Sequence, residues 1–245
     1  MKKRIKYLLF VVLLLIPVIT NAHSFNVVSE ETKYFKTITP YTDVSLCSVE
    51  DAFSLTTEIS EEEYNNVDIT DISVASSGYT ETTYKKMTTS ILSNGSYYRY
   101  KNRLVWKNMP KVRSYDIIGI GFLSTVRING SAYFEQYYCP EYSSCVSSTS
   151  HNPQTFTNGA GTTFKLPSGT LTQLEQTYYF DVEKNTTATI ISQTAYGDYS
   201  HATSSVSLTT GKKYIVGTNG IVLNSSVVDY YDSITKATAN WSGLW

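Results

Sequence analysis

The chain has 245 residues, 21 of them tyrosine, with a formal net charge of −1, and Ser plus Thr make up roughly a quarter of it. Many hydroxyl, β-branched and aromatic side chains with few charges favour pleated sheets over helices. The composition argues against nucleic acid as a partner, because phosphate binding needs concentrated Lys and Arg. The basic residues between 101 and 113 alternate with apolar ones and predict a strand with a solvated face.

Residues 1–22 have the three parts of a secretory signal peptide. Lysine and arginine dominate the first six positions, an apolar run extends from Tyr7 to Ile19, and small residues lead to Ala22. The run of about 13 residues is shorter than the roughly 20 that a membrane-spanning helix needs. We expect cleavage after Ala22, which leaves residues 23–245 as a single domain with a net charge of −5 and no transmembrane segment. The short lysine-rich leader and the Asn, Lys, Ile and Tyr bias are typical of a bacterial chain.

A short helix is predicted after Ser60, whose hydroxyl can cap the free amides that begin a helix. Glu61, Glu62 and Glu63 follow it and favour the positive end of the helix dipole. These acids, with Asp68 and Asp71, could instead gather around calcium. Capping and solvation already explain them, so we predict no metal site and no cofactor.

Two strands, 79–92 and 97–106, are predicted to form a hairpin through Asn94–Gly95, the strongest turn signal in the chain. Residues 114–123 are the most apolar piece after residue 22 and predict a central, buried strand. Gly119 and Gly121 would share one face of it and let an opposing layer come close. Asn129–Gly130 predicts a second hairpin, which leads into an aromatic strand over 131–139.

Residues 146–161 are polar and predict a surface loop, which is the best candidate for a boundary within the domain. More hairpins are predicted after this loop. Strands are expected at 177–183, 187–195, 204–208 and 213–218, with turns at residues 184–185, 210–212 and 219–220. Residues 233–245 predict a short helix, with Trp241 and Trp245 docked on the sheet. About a dozen short strands predict an all-β fold, an antiparallel β-sandwich with short peripheral helices.

Three cysteines remain in the exported chain. Cys139 and Cys145 are six positions apart, with Pro140 and two serines between them, and we predict that they form a disulfide around a small loop. Cys47 is left over, either buried or paired with a partner. No CxxC pair and only three histidines are present, which argues against a zinc site.

No motif of a known catalytic class occurs in the sequence. Asp198 with His201 could orient and activate a serine, but a surface histidine beside an aspartate is the simpler interpretation. A thiol enzyme would pair Cys47 or Cys139 with His151 or His201, and no electropositive setting for such a thiol is recognisable. The sequence therefore predicts no catalytic residues.

Aromatic residues are the remaining functional clue. In the neighbouring predicted strands, tyrosines occupy both odd and even positions. Successive side chains of a strand point to opposite faces, so some of these rings must face outward. An exposed tyrosine can stack on a sugar or anchor a protein, because it offers a large area with few rotamers to lose. The alternative is ordinary cross-strand pairing that stiffens the sheet. The predicted ligand-binding residues are Tyr97, Tyr98, Tyr100, Trp106, Tyr133 and Tyr137.

The leading hypothesis is a secreted or surface-associated β-sandwich that binds a glycan or a protein at the cell surface and does not catalyse. A second hypothesis is a membrane-active pore-forming toxin, because residues 177–208 alternate and carry little charge, like a hairpin that re-pairs in a bilayer. A third is a secreted hydrolase whose site residues lie far apart in the sequence.

Overall fold

The computed structural model describes residues 24–40, 54–68, 80–150 and 153–245. The predicted signal peptide, Cys47 and His151 lie outside these ranges. Asp71 lies outside them as well. Within the described residues, no helix is both long and apolar enough to cross a bilayer.

Antiparallel strands dominate the described chain and form two large sheets and one hairpin. The strands are β1 (Asn26–Pro40), β2 (Leu55–Ile59), β3 (Thr80–Ser93), β4 (Tyr98–Trp106), β5 (Tyr115–Phe122), β6 (Val126–Pro140), β7 (Val146–Ser150), β8 (Gln154–Phe156), β9 (Gly159–Lys165), β10 (Leu171–Lys184), β11 (Ser192–Ser200), β12 (Tyr214–Gly217), β13 (Gly220–Leu223) and β14 (Thr235–Ser242). Sheet A has the order β2-β1-β3-β4-β10-β6-β7, and sheet B has the order β14-β11-β5-β9-β8. Helices α1 (Glu61–Asn66) and α2 (Leu208–Gly211) and a 3-10 turn at Val228–Tyr230 are short. The all-β antiparallel sandwich is confirmed.

The main core lies between sheets A and B and is rich in aromatic rings. Alternate side chains of β4 and β10 face inward, so that Tyr100, Tyr178 and Phe180 meet Phe122 and Tyr199 of sheet B with almost no exposed area. Burying each large apolar side chain contributes roughly 1.5–3 kcal/mol relative to leaving it exposed. The abundant tyrosines thus supply much of the core.

A hairpin of β12 and β13 covers the outer face of sheet B and forms a third layer. Its Val216 and Ile221 join Ile117 and Tyr231 in a second buried cluster. The predicted close approach at the glycine pair of β5 is confirmed. A Cβ atom on Gly121 would lie 2.1 Å from the carbonyl oxygen of Gly217, so no larger residue fits under the hairpin as it stands.

Several local predictions are confirmed. Ser60 caps α1 by accepting a hydrogen bond from the Glu63 amide at 3.0 Å. Asn94–Gly95 joins β3 to β4, and Gly95 has a φ of 89°. Residues 219–220 form the turn between β12 and β13. Trp241 and Trp245 pack against the core.

The hairpin predicted at Asn129–Gly130 is wrong, because β6 runs straight through these residues. Gly130 has a φ of 80°, and the register with β10 shifts between Phe180, opposite Ala132, and Asp181, opposite Asn129. The residues form a β-bulge, which needs the same positive φ as a turn.

Four further predictions of the second half are wrong. Residues 177–195 do not form a hairpin, because β10 lies in sheet A between β4 and β6, and β11 lies in sheet B. The segment 204–208 forms no strand and leads into α2. The end of the chain forms β14, whose buried Ala237 and Ala239 suit either secondary structure. The loop 146–161 contains β7, β8 and the start of β9, and the chain passes there from one sheet to the other.

Candidate binding face

The side of sheet A that points away from sheet B carries a polar and aromatic surface, which we call the outer face. It is built on the three neighbouring strands β4, β10 and β6, whose inward residues fill the core while every second residue points out. The outer face consists of Arg99, Lys101, Arg103, Tyr133, Glu135, Tyr137, Glu175, Tyr179 and Asp181. All nine are half-buried or exposed.

A column of rings and a guanidinium group runs across these strands. The Tyr133 and Tyr179 rings stack with centroids 5.2 Å apart and planes 13° from parallel. The Arg99 guanidinium carbon lies 4.9 Å from the Tyr179 ring centroid and 4.2 Å from that of Phe25. Such cation–π contacts are worth about 0.5–1 kcal/mol at exposed sites and fix the directions of the side chains.

Two ion pairs join β4 to β10 on the same face. Arg99 binds both carboxylate oxygens of Asp181, at 2.7 and 3.2 Å, and Arg103 binds one oxygen of Glu175 at 2.5 Å. Partly exposed pairs of this kind contribute only about 0–1 kcal/mol each. Their effect is to balance the charge of the surface and to hold the guanidinium groups in place.

Tyr179 is also tied to β6 through its hydroxyl. Its hydroxyl donates a hydrogen bond to Glu135 Oε1 at 3.0 Å. Burial, and then this hydrogen bond to a carboxylate, raise the pKa of Tyr179 to about 12. The hydroxyl therefore stays protonated at neutral pH and remains a donor.

A small covalent loop adjoins the outer face. The sulfur atoms of Cys139 and Cys145 are 2.03 Å apart, which is disulfide distance. Tyr142 lies in this loop with 90% of its side chain exposed, and Tyr137 stands two residues before the first cysteine. The chain then enters β7, an edge strand with a solvent-exposed surface. The bridge thus presents Tyr142 from a restrained loop rather than from a free one.

The five tyrosines and one tryptophan predicted to bind a ligand are divided between core and surface. Tyr97, Tyr133 and Tyr137 remain accessible, and their binding role stays a prediction. Tyr98, Tyr100 and Trp106 are buried, which corrects their assignment to a binding surface. Tyr98 packs on Trp241 and Trp245, and the Tyr100 hydroxyl donates to Gln193 Oε1 at 2.8 Å.

The sequence interpretation missed the contribution of β10. Tyr179 and Asp181 belong to the alternating segment 177–183, which was identified as a strand and assigned to the wrong partner. The alternation itself showed that they share one face. Only the pairing with β4 and β6 places them beside Arg99 and Tyr133.

His201 is not a surface residue beside Asp198. It is 4% exposed, and its Nδ1 lies 2.9 Å from a carboxylate oxygen of a different residue, Asp116. Asp198 is also buried, and it accepts the Ile221 amide at 2.5 Å. Neither carboxylate faces an open cleft. Among the described residues, no group of three or more His, Cys, Asp and Glu side chains could hold a metal ion.

No family model, curated protein or solved structure matches this chain. The outer face is therefore interpreted from its own geometry.

Proposed function

We propose that the protein is exported from a bacterial cell and binds another protein through the outer face of sheet A, without catalysis. The observation that carries the proposal is the column formed by Tyr133, Tyr179 and Arg99 on an open sheet. Tyrosine and arginine are among the residue types enriched where protein partners contribute binding energy. Holding their rotamers before binding lowers the entropy that association costs.

A protein partner fits this surface better than a glycan. A sugar stacks on the flat face of an aromatic ring. Both neighbours of the Tyr179 ring are already in place, because Tyr133 stacks on it and Arg99 lies over it. The Tyr179 ring therefore presents its edge rather than an open face. The charged side chains of the outer face are basic on β4 and acidic on β10 and β6, a pattern that a folded protein with complementary charges can match.

Export is supported by two independent features. The first 22 residues carry the pattern of a signal peptide, and a cysteine pair stands at disulfide distance. The pore-forming hypothesis draws no support from the topology, because residues 177–208 are spread over two sheets. No open cluster of reactive side chains among the described residues favours the hydrolase hypothesis.

The test is a pull-down from the surface-protein fraction of the source cells, run beside a glycan array. We expect a protein to be captured, and we expect Arg103→Ala and Tyr137→Ala, which alter exposed side chains, to weaken its binding roughly tenfold or more. Tyr230→Ala is the matched control, since Tyr230 is 43% exposed but lies in the 3-10 turn before β14. Capture that is insensitive to the outer-face variants, or binding only to glycans, would overturn the proposal.

A further inference from the structure

The molecule buries a lysine and an aspartate against each other between its two sheets. Lys85 lies on β3 of sheet A, and Asp232 precedes β14 of sheet B. Their Nζ and Oδ2 atoms are 2.5 Å apart, and neither side chain has any exposed area. Removing two charges from water is costly, and the mutual attraction often fails to compensate for it. The pair therefore needs an explanation beyond stability.

The surroundings of the pair are aromatic. Lys85 Nζ lies 5.3 Å from the centroid of the Trp106 ring and 5.5 Å from that of Tyr199, and both rings are buried. A lysine without water around it is the usual form of a nucleophilic amine in proteins, because the neutral amine carries a free electron pair. The rings also keep bulk water from the carboxyl group.

The second oxygen of Asp232 has a separate partner. The backbone amide of His201 donates a hydrogen bond to Oδ1 at 2.7 Å, while Oδ2 faces the lysine. An amide hydrogen directed at one carboxyl oxygen stabilises negative charge that develops there when a nucleophile attacks the carbon. The two oxygens of one carboxyl group are thus already placed in different roles.

We propose that Lys85 and Asp232 condense after folding into an intramolecular isopeptide bond. A proton first moves from Nζ to Oδ2 along their hydrogen bond, which leaves a neutral amine and a carboxylic acid. Nζ then attacks Cγ, and the charge on Oδ1 is held by the His201 amide. A second proton passes from Nζ to Oδ2, the Cγ–Oδ2 bond breaks, and Oδ2 leaves as water. The products are an amide and one water molecule, with no oxidation or reduction.

Asp116 positions this site from the opposite side. Its carboxylate accepts hydrogen bonds from the His201 ring, from the Ala202 amide at 2.9 Å and from the Tyr199 hydroxyl. These contacts fix the segment whose amide holds Oδ1, and they fix one of the rings beside the lysine. Asp116 is therefore a positioning residue, because these contacts are with the neighbours of the reacting pair.

The bond would join the two sheets covalently. Lys85 and Asp232 are 147 positions apart, and the link connects β3 to the segment that leads into the last strand. A cross-link between distant positions restricts the unfolded chain far more than the short loop between Cys139 and Cys145 does. The modification is independent of the outer face.

Mass spectrometry of the purified, reduced protein tests the proposal. The wild type should be lighter by one water, about 18 Da, than the mass obtained from the Lys85→Arg variant after correction for the substitution. Arginine keeps the charge but is a poor nucleophile. Tryptic digestion should yield one branched peptide that contains both residues, with no cleavage after Lys85. Lys33→Arg, in an exposed pair with Glu58, is the matched control and should keep the mass loss.

A wild type of full mass, with the Lys85 and Asp232 peptides recovered separately, would overturn the proposal. So would a loss of water that persists in the Lys85→Arg variant, because it would come from another site. If that variant fails to fold, the branched peptide of the wild type decides alone. Asp116→Asn should still lose one water relative to its own calculated mass, but the cross-link should appear more slowly during refolding. A purely structural role would not cause this delay in a variant that refolds at the normal rate.

Discussion

The side-chain amide of Asn102 donates a hydrogen bond to the backbone carbonyl of Asp198 at 3.1 Å and so links β4 of sheet A to β11 of sheet B. The same amide nitrogen lies 3.4 Å from the carbonyl of Gly119. Asn102 is fully buried, and its side chain reaches the opposite sheet because Gly197 leaves room for it. A polar contact inside an aromatic core fixes how the two sheets sit against each other, because its partners have no water to replace it.

Gly197→Ala should destabilise the sandwich by about 1–3 kcal/mol through overpacking. A Cβ atom there would lie 1.9 Å from Thr89 Oγ1 and 2.9 Å from two atoms of the Asn102 side chain. Urea unfolding measures the loss. Adding Thr89→Ala removes the nearest atom and should restore part of the stability, and a double variant no more stable than Gly197→Ala would contradict the steric explanation.

Gly121→Ala should release the hairpin of β12 and β13 more than it disturbs the rest of the fold. The added Cβ would meet two backbone groups, the Gly217 carbonyl at 2.1 Å and the Gly220 amide at 2.8 Å, so no side-chain rotation can relieve the clash. We expect faster hydrogen exchange in residues 214–223 and little change in β4 and β10. Gly217→Ala is the control, because nothing lies within 4 Å of its added Cβ. Equal effects of the two variants would argue against this account.

Asp198 should make stability depend on pH. Burial raises the pKa of its carboxyl from 3.8 to about 7, although Lys236 and the Ile221 amide act in the opposite direction. The folded state therefore holds the proton more tightly than the unfolded state does. Its contribution is most favourable below about pH 4, and it is lost as the pH rises from about 4 to about 7, by at most about 4 kcal/mol.

The Asp198→Asn variant should lack this dependence. We expect the urea midpoint of the variant minus that of the wild type to increase as the pH is raised from about 4 to about 8, because only the wild type loses the contribution of Asp198 over that range. Asp181→Asn, at a partly exposed aspartate paired with Arg99, serves as the control and should not show the same rise. Parallel curves for wild type and Asp198→Asn would refute the prediction.

Cys139→Ser with Cys145→Ser should cost only about 2 kcal/mol, since the closed loop is short. The larger effect should be local. We expect the loop around Tyr142 to become sensitive to protease, and we expect the affinity for the protein partner to fall if that ring contributes to the interface. Limited proteolysis followed by peptide mapping measures the first effect. Cleavage at the same rate as in the wild type would show that other contacts restrain the loop.

Local signals in the sequence predicted strands better than they predicted strand partners. The turn at Asn94–Gly95 specified both the strands and their pairing, because the two strands are adjacent in the chain. The alternation at 177–183 identified β10 equally well. It could not show that the partners of β10 lie about forty and eighty residues earlier in the sequence. Periodicity shows which side chains share a face of the strand, but it does not show which other strand pairs with it.

The outer face was predictable only in part, because alternation identifies the two sets of side chains on a strand but not which set faces the core. Tyr133 and Tyr137 were identified because aromatic residues occupy both odd and even positions of the segment 131–139, so some of their rings must face outward. Tyr98 and Tyr100 alternate with Arg99 and Lys101, and the sequence alone does not tell which of the two sets faces the core. The structure assigns the tyrosines inward and the basic residues outward, which agrees with the cost of burying unpaired charge.

The position of β14 sets an order on folding. This strand is the last in the sequence, it completes sheet B beside β11, and Trp241 next to its end closes over Tyr98. A growing chain cannot complete sheet B until residues 235–242 have been made and have paired with β11. Partners so distant in sequence also find each other slowly. Until then β11 remains an unpaired edge strand, and the ring of Tyr98 lacks its cover by Trp241.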